Sequence, residues 1–335
     1  LTSSGALKFA DKPENYFKLK SGRMSPYFCN MASAVDSGRK ISETAKAYAS
    51  SLDGLDYTFL HGPAMKGIPL VAAMADEIYR SKKRVVEFGY DFKDARPEIL
   101  GDFAIGKKLA EEKKDIRVLD KLQSTLVGDK DCNGWSVQRH TEELLKTVLD
   151  NFDPVNIDCV VGKAYGGIVP AALLVKRLWE EKKVDVRFAY DRISAKEYGV
   201  TSEKFFVGDI RDGDRVLVID AAVTKLSGVF GCLTKDSRIV LVDDVITTGK
   251  AKRESRDKIF KEQLNARFSC VLVGVHRSEV DEQGRSVESA LGDLGLSLKY
   301  IVTAPQIFEY AREKKLVNDA AYANFQSYMK QYGGG

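Results

Sequence analysis

Apolar residues fall in short, unbroken runs along this chain, and stretches with helical spacing lie between them. "YTFLHG" (57–62) precedes "IPLVAAMADEIYRSKK" (68–83), and "RVVEFGY" (84–90) follows. "IDCVVG" (157–162) precedes "IVPAALLVKRLWEEKK" (168–183), and "VDVRFAY" (184–190) follows. Later come "RVLVID" (215–220), then "RIVLVDD" (238–244) ahead of "KAKRESRDKIFKEQ" (250–263), then "FSCVLVGVHR" (268–277). Continuous apolar strands alternating with amphipathic helices predict a parallel sheet covered on both faces, because a strand buried on both sides has no polar face to show. The expected architecture is a doubly wound α/β fold. Ligands of such sheets sit at the carboxyl ends of the strands.

An internal repeat overlies this pattern. Residues 61–91 and 161–191 match in layout at an offset of 100 positions. Each has a glycine-bearing turn after a strand, an apolar helix ending in lysines, a second strand, and a closing Tyr-Asp. A second near-copy links "RVLVIDAAVTKLSG" (215–228) with "RIVLVDDVITTGKAKRES" (238–255). The layout predicts a discontinuous domain from 1–97 and 237–335, a charged helical connector over 98–153, and an inserted, degenerate repeat over 154–236.

The two strand ends differ in chemistry. Asp243 and Asp244 end an apolar strand, whereas the near-copy keeps Asp220 and has Ala221 in the second place. Adjacent carboxylates at the end of a buried strand are expensive unless paired or used. Thr247, Thr248 and Gly249 then open a helix whose free N–H groups and positive end suit an anion, and Lys250 adds charge. Carboxylates that accept from sugar hydroxyls, beside a turn that holds a phosphate, describe a site for a phosphorylated sugar. The plainer alternative is a solvated acidic pair followed by an ordinary helix cap.

Composition narrows the class without choosing a reaction. Over 335 residues, 44% are hydrophobic and 30% charged, with a formal net charge of +4, so a sizeable soluble core is expected and nucleic acid is not required. No apolar run approaches a membrane span, and the opening "LTSSGALKF" lacks a signal-peptide layout. Cys29, Cys132, Cys159, Cys232 and Cys270 are scattered without a CxxC, which predicts free thiols in a reducing cytoplasm.

"VLVDDVITTG" (240–249) resembles the PRPP-binding motif of the type I phosphoribosyltransferases (PRPP, phosphoribosyl diphosphate). Further stretches are similar to the orotate phosphoribosyltransferases within that family. These are "ALKF…FKLKSGRMSPYFCN" (6–30), "HGPAMKGIPL" (61–70), "VGVHRSE" (273–279) and the ending "IVTAPQIFEYAREKKLVNDAAYANFQSYMKQYG" (301–333). The resemblance implies transfer of a phosphoribosyl group from PRPP to orotate, giving orotidine 5′-monophosphate and diphosphate, with Mg²⁺ as cofactor. It makes the chain a pentosyltransferase of pyrimidine biosynthesis, with no nucleic-acid or membrane partner, acting as a homodimer or an internal pseudo-dimer.

The same resemblance assigns roles. Asp243 and Asp244 face the ribose hydroxyls, and Thr247, Thr248, Gly249 and Lys250 hold the 5′-phosphate. Lys20 and Lys66 reach the substrates, the backbone at Phe28 and Cys29 lines the orotate pocket, and Arg277 meets the orotate carboxylate. No protein side chain binds Mg²⁺ directly, since PRPP and water hold it. The family's mobile basic loop is matched best by 190–209, with Arg192 and Lys196 in register, and less well by 90–106, with Lys93 and Arg96. Departures from the pattern are Met65 for a tyrosine, Ile193 for a lysine, and Gly166 where the first repeat has Lys66. A transferase for another base and a non-catalytic nucleotide-binding regulator of the same fold are the alternatives.

Overall fold

A computed structural model describes residues 6–19, 22–91, 116–123, 133–191, 205–221, 229–231, 233–247, 249–262 and 266–334. The amino-terminal segment forms short strands β1 (Leu7–Phe9), β2 (Phe17–Lys18), β3 (Met24–Ser25) and β4 (Tyr27–Cys29). Helix α1 (Gly38–Ser51), β5 (Phe59–Gly62), α2 (Gly67–Lys82) and β6 (Glu87–Asp91) follow. Next come β7 (Arg117–Gln123), α3 (Gly134–Asn151), β8 (Cys159–Gly162), α4 (Ile168–Lys182), β9 (Arg187–Asp191), β10 (Phe206–Gly208) and β11 (Arg215–Asp220). The chain then makes β12 (Val229–Phe230), β13 (Arg238–Ile246), α5 (Lys250–Glu262), β14 (Arg267–His276), α6 (Val287–Gly292), β15 (Leu298–Thr303), α7 (Ala304–Glu313) and α8 (Asp319–Tyr332).

Two mainly parallel sheets result. One has the order β12-β6-β5-β13-β14-β15 and the other β10-β9-β8-β11-β7. In each, a short antiparallel strand closes one edge: Val229 pairs with Asp91, and Phe206 with Asp191. The doubly wound α/β class and the second repeat expected from the sequence are both present.

The repeated helices start and stop by shared local chemistry. Pro69 and Pro170 each occupy the third position of their helix, where no intrahelical partner exists for an N–H. Both helices end on a lysine in the left-handed region, Lys83 at φ 53° and Lys183 at φ 60°.

Burial follows the two-residue strand period. Leu60, Val240, Val242 and Leu272 point to one side of the first sheet, while Phe59, Ile239, Leu241 and Val271 point to the other. The first set shares a single core with Val160, Leu217 and Ile219 of the second sheet and with α1, α2, α3 and α4. The four helices are therefore sandwiched between the sheets, and the two repeats fold around one interior. Full burial of a Val, Leu or Ile side chain contributes about 1.5–3 kcal/mol, so this shared layer binds the repeats together strongly.

Two expectations about boundaries need correction. Residues 98–153 are not simply a charged helical connector: Arg117–Gln123 form β7, parallel to β11, and α3 belongs to the shared core. The high charge of "DIRVLDKL" conceals a strand at a sheet edge. The first unit also begins again before 237, because Val229–Phe230 joins its sheet. Next to β11, β7 stands where β14 stands next to β13, although β7 precedes its neighbour in the chain and β14 follows it.

Candidate active site

β13 is flanked by β5 and β14 and delivers Asp243 and Asp244 near its carboxyl end. The backbone there is held by its own side chains: Asp244 N–H donates to Asp243 Oδ1, and Val245 N–H donates to Asp244 Oδ1, each at 2.8 Å. Tyr48 Oη, from α1, donates to the Asp243 carbonyl at 3.0 Å. A lysine serves each carboxylate. Lys66 Nζ lies 2.9 Å from Asp244 Oδ2, and Lys252 Nζ donates to Asp243 Oδ2 and to the Val245 carbonyl, the latter at 3.0 Å.

These contacts set the protonation of the pair. Burial pushes the Asp243 carboxyl up to about 6, with Lys252 pulling it back and the Asp244 charge adding to the rise. Burial acts on Asp244 in the same sense, but the Lys66 ammonium, with Lys252 behind it, holds that carboxyl below its ordinary value. Two adjacent carboxylates thus differ in acidity because they have different lysines.

Beyond the strand, Thr247 is half-buried, and Gly249 turns into α5 at φ 74°, against Leu291 and Val287 of α6. Lys250 is the first residue of α5. Lys66 immediately precedes α2, in the turn between β5 and that helix. The turn is fixed from the neighbouring strand, since Asp91 Oδ1 accepts from the Ala64 N–H at 2.8 Å while Lys258 donates to Asp91 Oδ2 at 2.8 Å.

On the other side of β13, His276 pairs with Ile246, and Arg277 follows. Arg277 is 3% exposed. Its Nε donates to Glu279 Oε1 at 2.8 Å, one of its terminal nitrogens donates to Ser25 Oγ at 3.0 Å, and its guanidinium lies 4.1 Å over the Tyr27 ring. Tyr27 Oη and Arg23 also donate to Glu279, at 2.9 Å and 3.2 Å. This cluster ties the segment carrying β3 and β4 to the end of β14. The Cys29 thiol, on β4, is pushed up to about 11 by burial, with the charges of Arg277, Asp244 and Lys66 close enough to act on it. Phe28 beside it rests against Phe17, with ring centroids 5.8 Å apart.

The structure therefore gathers Asp243, Asp244, Lys66, Thr247, Gly249, Cys29 and Arg277 around the ends of β4, β13 and β14. Lys20, Thr248, Arg192 and Lys196, and the alternative loop residues Lys93 and Arg96, lie outside the described residues, as does the Lys250 side chain. The sequence reading missed Lys252, Tyr48, Glu279 and Asp91. Lys252 stands in a helix rich in lysine and arginine, and only its 3% exposure separates it from its neighbours. The repeated Tyr-Asp was a visible signal for Asp91, but the partner of its carboxylate was not.

The second repeat builds the same frame with different chemistry. Asp191 Oδ1 accepts from the Ala164 N–H at 2.6 Å, as Asp91 does from Ala64. Ala221 replaces Asp244 and Gly166 replaces Lys66, so both members of that ion pair are missing. Lys163, at the position of Pro63, instead reaches Asp220 Oδ2 at 2.9 Å.

The fold is of the phosphoribosyltransferase kind, as comparison with solved structures shows. An orotate phosphoribosyltransferase structure from Francisella tularensis superposes with a TM-score of 0.50 at 19% identity, covering 99% of this chain and 96% of that one. A UMP synthase structure from Leishmania donovani gives a TM-score of 0.50 at 14% identity, covering 99% of this chain and 41% of that one.

In sequence, the chain is similar to orotate phosphoribosyltransferases. It is 43% identical over 110 residues to the enzyme of Xanthomonas euvesicatoria, covering 32% of this chain and 47% of that protein. With the Polaromonas naphthalenivorans enzyme it shares 41% over 112 residues, covering 32% and 44%. The chain thus spans about half the length of the curated relatives it matches. No protein-family model matches it.

Proposed function

We propose that this protein transfers the phosphoribosyl group of PRPP to orotate, forming orotidine 5′-monophosphate and diphosphate in pyrimidine biosynthesis. The observation that carries the reading is the Asp243–Asp244 pair at the end of β13, each carboxylate held by its own lysine, beside the turn into α5.

The chemistry asked of the site is mainly placement and charge. The orotate ring nitrogen gives up its proton to the departing diphosphate or to water. It bonds to the anomeric carbon as the bond from that carbon to the diphosphate oxygen breaks, and the electrons of the broken bond leave with the diphosphate. The ribose becomes cationic on the way, so fixed negative charge beneath it lowers the barrier. Asp243 and Asp244 supply that charge and accept from the ribose hydroxyls in place of their lysines. Thr247, Gly249 and the start of α5 offer backbone N–H groups to the 5′-phosphate, a role that Thr248 and Lys250 share on the sequence resemblance. Lys66, a third exposed, has the reach to leave Asp244 for the diphosphate. Arg192 and Lys196 are assigned to the same charge on sequence grounds alone.

Mg²⁺ fits as a cation that arrives with the diphosphate. Asp243 and Asp244 are each engaged by a lysine, so a cation brought by the substrate would share the site with those ammonium groups. When bound, Mg²⁺ would neutralise the diphosphate while keeping several of its waters. The carboxylates would meet it through those waters. A cytoplasmic setting belongs to the same proposal; among the described residues no helix is long and apolar enough to cross a membrane.

Orotate consumption, followed by its ultraviolet absorbance with PRPP and Mg²⁺, tests the reading. Turnover in the wild type that is lost in Asp244→Ala is the expected result. Absence of turnover in the wild type with orotate, but not with uracil, hypoxanthine or adenine, would move the function to another base. PRPP binding without turnover on any base would leave a nucleotide-binding regulator.

A further inference from the structure

The helices that join the two repeats carry opposite charges at equivalent positions. At the offset of 100 residues, Asp76 corresponds to Lys176, Glu77 to Arg177 and Arg80 to Glu180. Asp76 meets Lys176 and Arg80 meets Glu180, while Glu77 and Arg177 pair with the neighbours of their equivalents. Lys176 is 0% exposed and places its Nζ 2.7 Å from Asp76 Oδ2, 3.4 Å from Glu77 Oε2 and 3.0 Å from Glu180 Oε1. Arg177 reaches Asp76 Oδ1 at 3.2 Å, and Arg80 pairs with Glu180. Ser42, on α1, donates to Glu180 at 2.7 Å.

The surrounding contacts obey a two-fold relation between the repeats. Gly38 N–H donates to the Val186 carbonyl at 3.1 Å, and Gly134 N–H donates to the Val86 carbonyl at 3.2 Å. Ser37 bridges to Arg187, and Asn133 to Glu87. α2 and α4 thus cross where a two-fold axis would pass, and a residue on such an axis meets its own equivalent. Between two identical copies of α2, Asp76 would face Asp76 and Arg80 would face Arg80. Like charges in a desolvated contact are strongly unfavourable, because neither gains a partner for the hydration it loses. Within one chain, the same positions become ion pairs.

We propose that the inserted repeat is the dedicated partner of the first, and that charge exchange across α2 and α4 closes this face within a single chain. The working assembly is then one chain with one intact Asp-Asp motif, in place of two chains with two. The second repeat supplies the packing surface that a second copy would otherwise provide, and its own strand end is free to lose Asp244 and Lys66 equivalents. This inference concerns assembly and stands whether or not orotate is the acceptor.

Light scattering on the full chain and two charge variants test it. The wild type should have the mass of one chain at every concentration tried, and a dimer would overturn the proposal. Reversing only α2, in Asp76→Lys/Glu77→Arg/Arg80→Glu, should lower Tm by about 10 °C or prevent folding, since it sets like charges together in a buried contact. Adding Lys176→Asp/Arg177→Glu/Glu180→Arg exchanges the charges in both helices and should recover a folded monomer with most of the lost Tm. If the six-residue exchange is no more stable than the three-residue reversal, charge matching does not select the partner and the proposal fails. Should the reversal not fold at all, the exchange still decides: a folded monomer supports the proposal and an unfolded chain overturns it.

Discussion

Asp91 accepts a hydrogen bond from the Ala64 N–H at 2.8 Å, so the last residue of β6 fixes the turn that carries Lys66. The same relationship recurs between Asp191 and Ala164 at 2.6 Å, in a turn with Gly166 where Lys66 would be. One backbone device thus supports two turns, of which only the first presents an ammonium group to an aspartate pair.

Replacing these aspartates should separate structure from activity. Asp91→Ala and Asp191→Ala each leave a half-buried N–H without its acceptor, at a cost of about 1–3 kcal/mol. Thermal melts should show similar losses for both. Turnover with PRPP should fall only in Asp91→Ala, because only that turn positions a lysine at the site. Equal loss of turnover in both variants would place the second turn in the reaction.

Lys66→Met removes one charge-assisted hydrogen bond to Asp244 and one cation from the diphosphate side. Such bonds contribute about 1.5–3 kcal/mol, so kcat/KM for PRPP should drop by about 10-fold to 150-fold. A steady-state comparison of variant and wild type checks this, and an unchanged kcat/KM would remove Lys66 from the site.

The raised Asp243 carboxyl predicts a pH effect. Below about 6 the pair carries one negative charge and above it two, so kcat/KM for PRPP should climb through an acidic limb near pH 6. Lys252 lowers this carboxyl, so Lys252→Met should move the limb upward. The linked stability term has the opposite slope. A carboxyl raised above its ordinary 3.8 favours the folded state when protonated, so its contribution is complete below that value and is lost as pH rises through about 6. Asp244, held low, contributes in the reverse sense and loses its contribution on acidification. A pH–rate profile with one limb near pH 4, unmoved by Lys252→Met, would contradict this account.

Close helix packing predicts sensitivity at two glycines. A Cβ on Gly38 would lie 2.0 Å from the Val175 carbonyl oxygen, and one on Gly134 would lie 2.4 Å from that of Ala75. Both obstacles are helix backbone, which cannot give way locally. Gly38→Ala and Gly134→Ala should therefore each destabilise the chain by about 1–3 kcal/mol or more, read as a fall in denaturation midpoint. Each glycine packs on the opposite repeat, so the two losses should be alike.

Much of this protein is determined locally and can be read from the chain. Runs such as "RIVLVDD" and "FSCVLVGVHR" predict strands buried on both faces, because their central residues offer no polar face to water. The 100-residue offset revealed the duplication, and Asp243, Asp244 and the turn after them announced themselves as charge at the end of a buried strand. Other features exist only once distant segments meet. β7 was hidden because a short edge strand with alternating charge resembles a polar helix. Lys252 and Arg277 were ambiguous because a basic residue reads the same whether it is solvated or buried against Asp243 or Glu279. The exchange of charge between Asp76 and Lys176 is written in the two repeats, but its meaning depends on which residues meet across the axis. Periodicity records which face of an element is buried, and only the assembled structure decides what that face is buried against.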